Sequence, residues 1–83
     1  MWAVRFHPRA EKRLSRMGSE DRERIVRAVH ALRQDPFAHD IAPLRGRSGW
    51  RLRVGGWRVL LHVDKAARVI MAMEIGPRGD VYK

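Results

Sequence analysis

Arg51, Arg53, Arg58, Arg78 and Tyr82 are the side chains of this sequence best suited to chemistry, and that chemistry is the handling of a phosphate. In Trp50-Arg-Leu-Arg-Val-Gly-Gly-Trp-Arg58, apolar and basic residues alternate up to Gly55-Gly56, and the pattern resumes beyond it. Alternation is the period of a β-strand, and Gly-Gly permits the positive φ of a two-residue hairpin turn. Closing that turn pairs Val54 with Trp57, Arg53 with Arg58 and Leu52 with Val59. One face then carries Trp50, Leu52, Val54, Trp57, Val59 and Leu61. The other carries Arg51, Arg53 and Arg58, followed by Leu60 and His62. Like charges directly opposite each other destabilise a strand pair. A fold does not gain stability this way, so an anion is the expected reason for the arrangement.

A strand over residues 69–75 beside the hairpin would bring segment 76–83, with Arg78 and Tyr82, near the same face. Fixed cations can bind a phosphodiester and stabilise the charge of its transition state. RNA carries its own nucleophile, the 2′-hydroxyl, so its cleavage needs no metal once the phosphate is held and protons are moved. Tyr82 could stack on a base or assist proton transfer. The plainer alternative is a solvated basic face with Tyr82 as a packing residue, and the residues alone leave both open.

The elements that must position these groups are readable in turn. Trp2-Ala-Val-Arg-Phe6 has the character of a short strand. Pro8 suits the first turn of a helix, where a missing N–H costs nothing. Ala10, Leu14 and Met17 follow at helical spacing, with Gly18 as the expected C-terminal cap. Ser19 is the expected cap of a second helix, with Glu20 and Asp21 well placed against its dipole. Ile25, Val29 and Leu32 form the apolar stripe of that helix, and Pro36 ends it. Its charged face, including Arg22, Arg24 and Arg27, reads as solvated surface. Residues 36–49 form a loop-rich connector with a short extended piece near Ile41–Leu44. Val69–Ile75 is an apolar strand suited to the centre of a sheet, and Glu74 within it reads as an outward-facing acid. The result is an α+β fold of order β-α-α-β-β-β. Two N-terminal helices cover one face of a small, mainly antiparallel sheet, and the arginine face is left to solvent.

Composition narrows the function. The chain has 18 basic and 9 acidic residues, net +9, and 15 of the basic residues are arginine. Arginine's planar fork matches phosphate and stacks on bases. Residues 42–83 carry 9 basic and 3 acidic side chains, against 9 and 6 in residues 1–41, so the excess lies with the hairpin. A polyanion, either nucleic acid or an acidic protein, is the expected partner. There is no cysteine, which excludes disulfides, thiol nucleophiles and thiolate metal sites. The four histidines are scattered without metal-ligand spacing, so no metal and no cofactor is expected. No apolar run has the length of a membrane span and no signal segment opens the chain. The expectation is one domain over residues 1–83, cytoplasmic and complete.

Together these residues resemble the RelE/ParE superfamily of toxins from bacterial type II toxin–antitoxin systems. The resemblance runs through Pro43-Leu-Arg-Gly46, Trp50-Arg-Leu-Arg-Val-Gly-Gly-Trp-Arg-Val-Leu-Leu61 and Ile75-Gly-Pro-Arg-Gly-Asp-Val-Tyr82. It implies the β-α-α-β-β-β architecture and a cognate acidic antitoxin that wraps the toxin, with the complex binding operator DNA. In the RelE branch it implies metal-independent cleavage of mRNA in the ribosomal A site, beside ribosomal RNA, leaving a 2′,3′-cyclic phosphate. The catalytic positions of that branch fall on Arg51, Arg53, Arg58, Arg78 and Tyr82. The ParE branch implies inhibition of DNA gyrase instead, and a toxin-fold binding module without activity is the third possibility. Lysine is frequent in RelE proteins at the first two positions. Arginine stands there in this chain, and it stabilises charge well but is a poor general base.

Overall fold

The computed structural model describes residues 1–77; Arg78 and Tyr82 lie outside the described residues. The elements are β1 (Ala3–Phe6), α1 (Pro8–Ser15), α2 (Ser19–Ala31), a short 3₁₀ turn (Pro36–Ala38), β2 (Ile41–Pro43), β3 (Trp50–Val54), β4 (Trp57–Asp64) and β5 (Val69–Pro77). They build the expected α+β fold, with the short extended piece near Ile41 realised as an additional edge strand. The sheet runs β1-β5-β4-β3-β2. Every strand pair is antiparallel except β1 with β5. β4 therefore holds the centre, with β5 beside it rather than in the middle.

The helix boundaries follow from the local chemistry, with one revision. Pro8 takes the first turn of α1 as expected, and the His7 ring accepts the Arg9 backbone N–H at 3.1 Å through Nδ1. Gly18, however, has φ −60° and forms the N-cap of α2, so it is no left-handed C-cap, and Ser19 lies inside the helix without a side-chain capping bond. The Arg22 guanidinium instead reaches back to the Met17 carbonyl at 3.2 Å and ties the two helices together at their junction.

The core fills one side of the sheet. Ala10 and Leu14 of α1 and Ile25 and Val29 of α2 pack with Leu52, Val54, Val59, Leu61, Ile70, Ala72 and Ile75. Each fully buried aliphatic side chain contributes about 1.5–3 kcal/mol through loss of apolar surface from water. The alternation seen in the sequence thus acts as the fold's main instruction: residues on one phase of β3 and β4 meet the helices. At one end of the sheet Phe37 packs edge-on against Trp2 and Trp50, with ring centroids 6.1 and 5.4 Å away. The Lys65 ammonium caps this cluster 5.3 Å from the Phe37 centroid. No helix among the described residues is long and apolar enough to cross a membrane.

In β5 the alternation is broken. Leu60 faces Glu74, but Leu61 faces Ala72, so Met73 is an extra residue without an opposite number. Ile70 and Ala72 point into the core, and uninterrupted alternation would send Glu74 there as well. The bulge shifts the phase by one. Ile75 is buried in place of Glu74, and Glu74 joins Leu60 on the opposite face.

Candidate functional site

The face of the sheet away from the helices is organised in cross-strand rows. Arg53 of β3 stands opposite Arg58 of β4, and Arg58 stands opposite Gly76 of β5. The next row runs Ala42, Arg51, Leu60, Glu74 across β2 to β5. The structure therefore brings together Arg51, Arg53 and Arg58 as the hairpin pattern requires. It also carries β5 past Arg58 as far as Pro77, the residue before Arg78.

The face is less open than the sequence suggested. Arg53 is exposed, whereas Arg51 and Arg58 are half-buried. Leu60 is only 4% exposed although it belongs to no part of the main core. Leu44, Arg47, Ser48 and Gly49 of the β2–β3 connector share with Leu60, His62, Met73 and Glu74 a cavity of about 290 Å³ over this face. Leu44 closes the connector through its N–H, which donates to the Gly49 carbonyl at 3.0 Å.

Arg51 is the electrostatically revealing residue. Its Nη1 is buried and has no hydrogen-bond partner among the described residues. A charged donor removed from water without a partner is costly, and a bound anion would remove that cost. Beside it, Pro43, Leu44 and Arg45 line a cavity of about 270 Å³. Arg53 and Arg58 line a separate, smaller cavity of about 100 Å³ with Gly55, Gly56 and Trp57, so the face offers an anion two neighbouring footholds, one at Arg51 and one at the hairpin tip.

The hairpin tip collects further cations that the sequence did not reveal. Gly55 has φ +60°, while Gly56 lies outside the left-handed region, as in a turn that needs glycine at its first central position only. A Cβ placed on Gly55 would lie 2.8 Å from Nη2 of Arg24. Arg24 of α2, read from the sequence as solvated surface, is thus folded against the turn. The Arg13 guanidinium of α1 lies 5.6 Å from the Trp57 ring centroid. Periodicity places both residues on polar helix faces but does not show where long side chains end. Around the other side of β5, Arg9, Lys12, Arg13 and Arg16 line a cavity of about 370 Å³ with Glu74, Ile75, Gly76 and Pro77. Arg9 Nη1 pairs there with Glu74 Oε1 at 2.8 Å.

Among the described residues no group of three or more His, Asp or Glu side chains stands together as a metal site. What the face offers is charge stabilisation, with one carboxylate at its border.

The family described as "ParE toxin of type II toxin-antitoxin system, parDE" matches residues 4–82 of the chain. The structure is similar to RelE in the RelE–RelB complex of Pyrococcus horikoshii, with 25% identity, a TM-score of 0.81, and coverage of 95% of this chain and 97% of that one. It is similar to the Mycobacterium tuberculosis RelBE2 toxin–antitoxin complex at 22% identity and TM-score 0.83, covering 93% and 98% of the two chains. The isolated Escherichia coli RelE toxin matches at 26% identity and TM-score 0.71, covering 99% and 92%. No curated protein matches the sequence.

Proposed function

Because the chain belongs to the ParE toxin family of type II toxin–antitoxin systems, within the RelE/ParE superfamily, we propose that it is a ribosome-dependent mRNA endoribonuclease of the RelE kind. The observation that carries this reading is the face with Arg51, Arg53 and Arg58, in which Arg51 Nη1 is buried without a partner among the described residues. Such a face is built for an anion, and the likeness to RelE structures supports the choice of a phosphodiester. Arg51, Arg53 and Arg58 hold the scissile phosphate between them. Arg78 stabilises the charge that develops on it or on the leaving oxygen, and Tyr82 stacks on a base or relays a proton. Cleavage is metal-independent and leaves a 2′,3′-cyclic phosphate.

The same reading gives the protein a cytoplasmic setting, mRNA and ribosomal RNA as nucleic-acid partners, and a cognate acidic antitoxin. The RelE structures solved with RelB support such an antitoxin. Operator DNA is then the target of the complex. Primer extension on mRNA in a translating extract tests the activity. New cleavage ends that depend on active protein are expected, and their absence sinks the reading.

The second reading is inhibition of DNA gyrase, favoured by the fact that the matching family is the ParE one. It predicts cleaved-DNA complexes with purified gyrase, and supercoiling that stays unchanged at excess protein rules it out.

A further inference from the structure

We propose that Glu74 is the general base of this site, taking the proton from the 2′-hydroxyl of the RNA; the proposal rests on the endoribonuclease reading. Clamping a phosphate does not by itself move a proton. Arginine is a good charge stabiliser but a poor proton acceptor, so Arg51 and Arg53 are unsuited to the task. A base must come from another residue on the same face.

The bulge at Met73 supplies it. Without the extra residue Glu74 would follow Ile70 and Ala72 toward the helices; with it, Glu74 emerges opposite Leu60, in the row of Arg51. Bulges are enriched beside active sites, where they re-aim a side chain. Gly76 is the residue directly opposite Arg58, so Glu74 is diagonal to Arg58 across β4 and β5. Diagonal neighbours are roughly 7–8 Å apart where their side chains leave the strands, so both side chains project over the same part of the face. The ion pair to Arg9 engages Oε1, and a carboxylate has a second oxygen free to accept. Arg9 thereby orients the group without using it up.

The other candidates are placed less well. Asp35 and Asp64 accept backbone N–H bonds in their own turns, from Phe37 and Ala67. His62 shares the face and is diagonal to Arg51 across β3 and β4, but it lies four residues along β4 from Arg58, roughly 13 Å at the usual rise per residue, so it borders only one of the three arginines.

The step balances without a co-reactant. Glu74 removes the 2′-hydroxyl proton, and the 2′-oxygen forms a bond to phosphorus. The bond from phosphorus to the 5′-oxygen breaks, and that oxygen leaves with the electron pair and takes a proton from solvent. The products are a 2′,3′-cyclic phosphate and a 5′-hydroxyl, and Glu74 returns its proton to water.

Cleavage of mRNA on programmed ribosomes tests this in wild type, Glu74→Gln, Glu74→Asp and His62→Gln. Loss of a general base costs about 10²–10⁴-fold. Glu74→Gln is therefore expected to lower kcat at least 100-fold with KM and thermal midpoint little changed, and Glu74→Asp to recover part of it. A substrate with sulfur in place of the scissile 5′-oxygen leaves easily without an acid, so the Glu74→Gln defect is expected to persist on it. Disappearance of the defect would assign Glu74 to leaving-group protonation and overturn the proposal. So would full activity in Glu74→Gln, with or without a loss in His62→Gln. If wild type leaves every mRNA intact, the endoribonuclease reading itself falls, and the base with it.

Discussion

Arg53 and Arg58 stand directly opposite each other across β3 and β4, two cations in the closest register a sheet allows. Replacing Arg53 with glutamine relieves that repulsion. The thermal midpoint is expected to hold or rise slightly, since cross-strand charge pairs are worth about 0.2–1 kcal/mol. Activity moves the other way: loss of one preorganised charge stabiliser costs about 10²–10³ in kcat. Melting curves and primer extension on the same samples check the two halves. A parallel loss of stability and activity would mark Arg53 as structural.

Arg51 is predicted to contribute to anion affinity through release of counterions. For single strands the salt slope of binding falls by roughly 0.7 for each phosphate that is no longer neutralised. Arg51→Gln should weaken binding of a short single-stranded RNA and flatten the plot of log K against log salt by about that amount. Titrations between low and moderate salt measure it, and an unchanged slope would remove Arg51 from the phosphate site.

The two glycines of the hairpin turn are predicted to differ. Gly56→Ala meets nothing within 4 Å and lies outside the left-handed region, so urea denaturation should show almost no change. Gly55→Ala puts a Cβ at φ +60°, which costs about 1–2 kcal/mol in the left-handed region. It also pushes Arg24 off the turn, a displacement the flexible side chain can absorb. Equal costs at the two positions would refute the turn geometry.

Leu60 is predicted to behave as a core residue although it points away from the core. At 4% exposure, Leu60→Ala should cost about 2–5 kcal/mol, like other large-to-small changes at buried leucines. It should also loosen the connector carrying Leu44 over the arginine face. A cost below about 1 kcal/mol in chemical denaturation, under the usual range for such changes, would show that the cover on that face is negligible.

Much of this was legible in the residues. The register of the hairpin follows from Gly55-Gly56 and the flanking alternation, and the structure pairs Arg53 with Arg58 and Leu52 with Val59 accordingly. The two helices, the strand order along the chain and the split into an apolar and an arginine face were readable for the same reason: periodicity reports which side of an element meets the core. Three features were not. The place of β4 at the centre depends on β1 returning to pair with β5, a long-range choice that no local pattern encodes. The burial of Leu60 depends on where the connector folds. Glu74 was readable as outward-facing, but the means, a single unpaired residue at Met73, shows only in the register. Gly18 and Ser19 show a local limit, since either could cap and the chain used glycine. Arg78 and Tyr82 remain part of the proposed site by resemblance and lie outside the described residues.

The parallel pairing of Ala3 with Val69 and of Phe6 with Ala72 sets an order of events during folding. Pairings so distant along the chain must wait until both partners exist, and they slow folding because a large loop has to close first. The hairpin of β3 and β4 closes through local contacts and can form before β5 docks. Its arginines are then present without Glu74 and without the strand that leads on to Arg78. A chain at that stage of folding holds Arg51, Arg53 and Arg58 without the strand that completes their face. The proposed site is thus completed only by the docking of β5 between β1 and β4, the step that also closes the sheet.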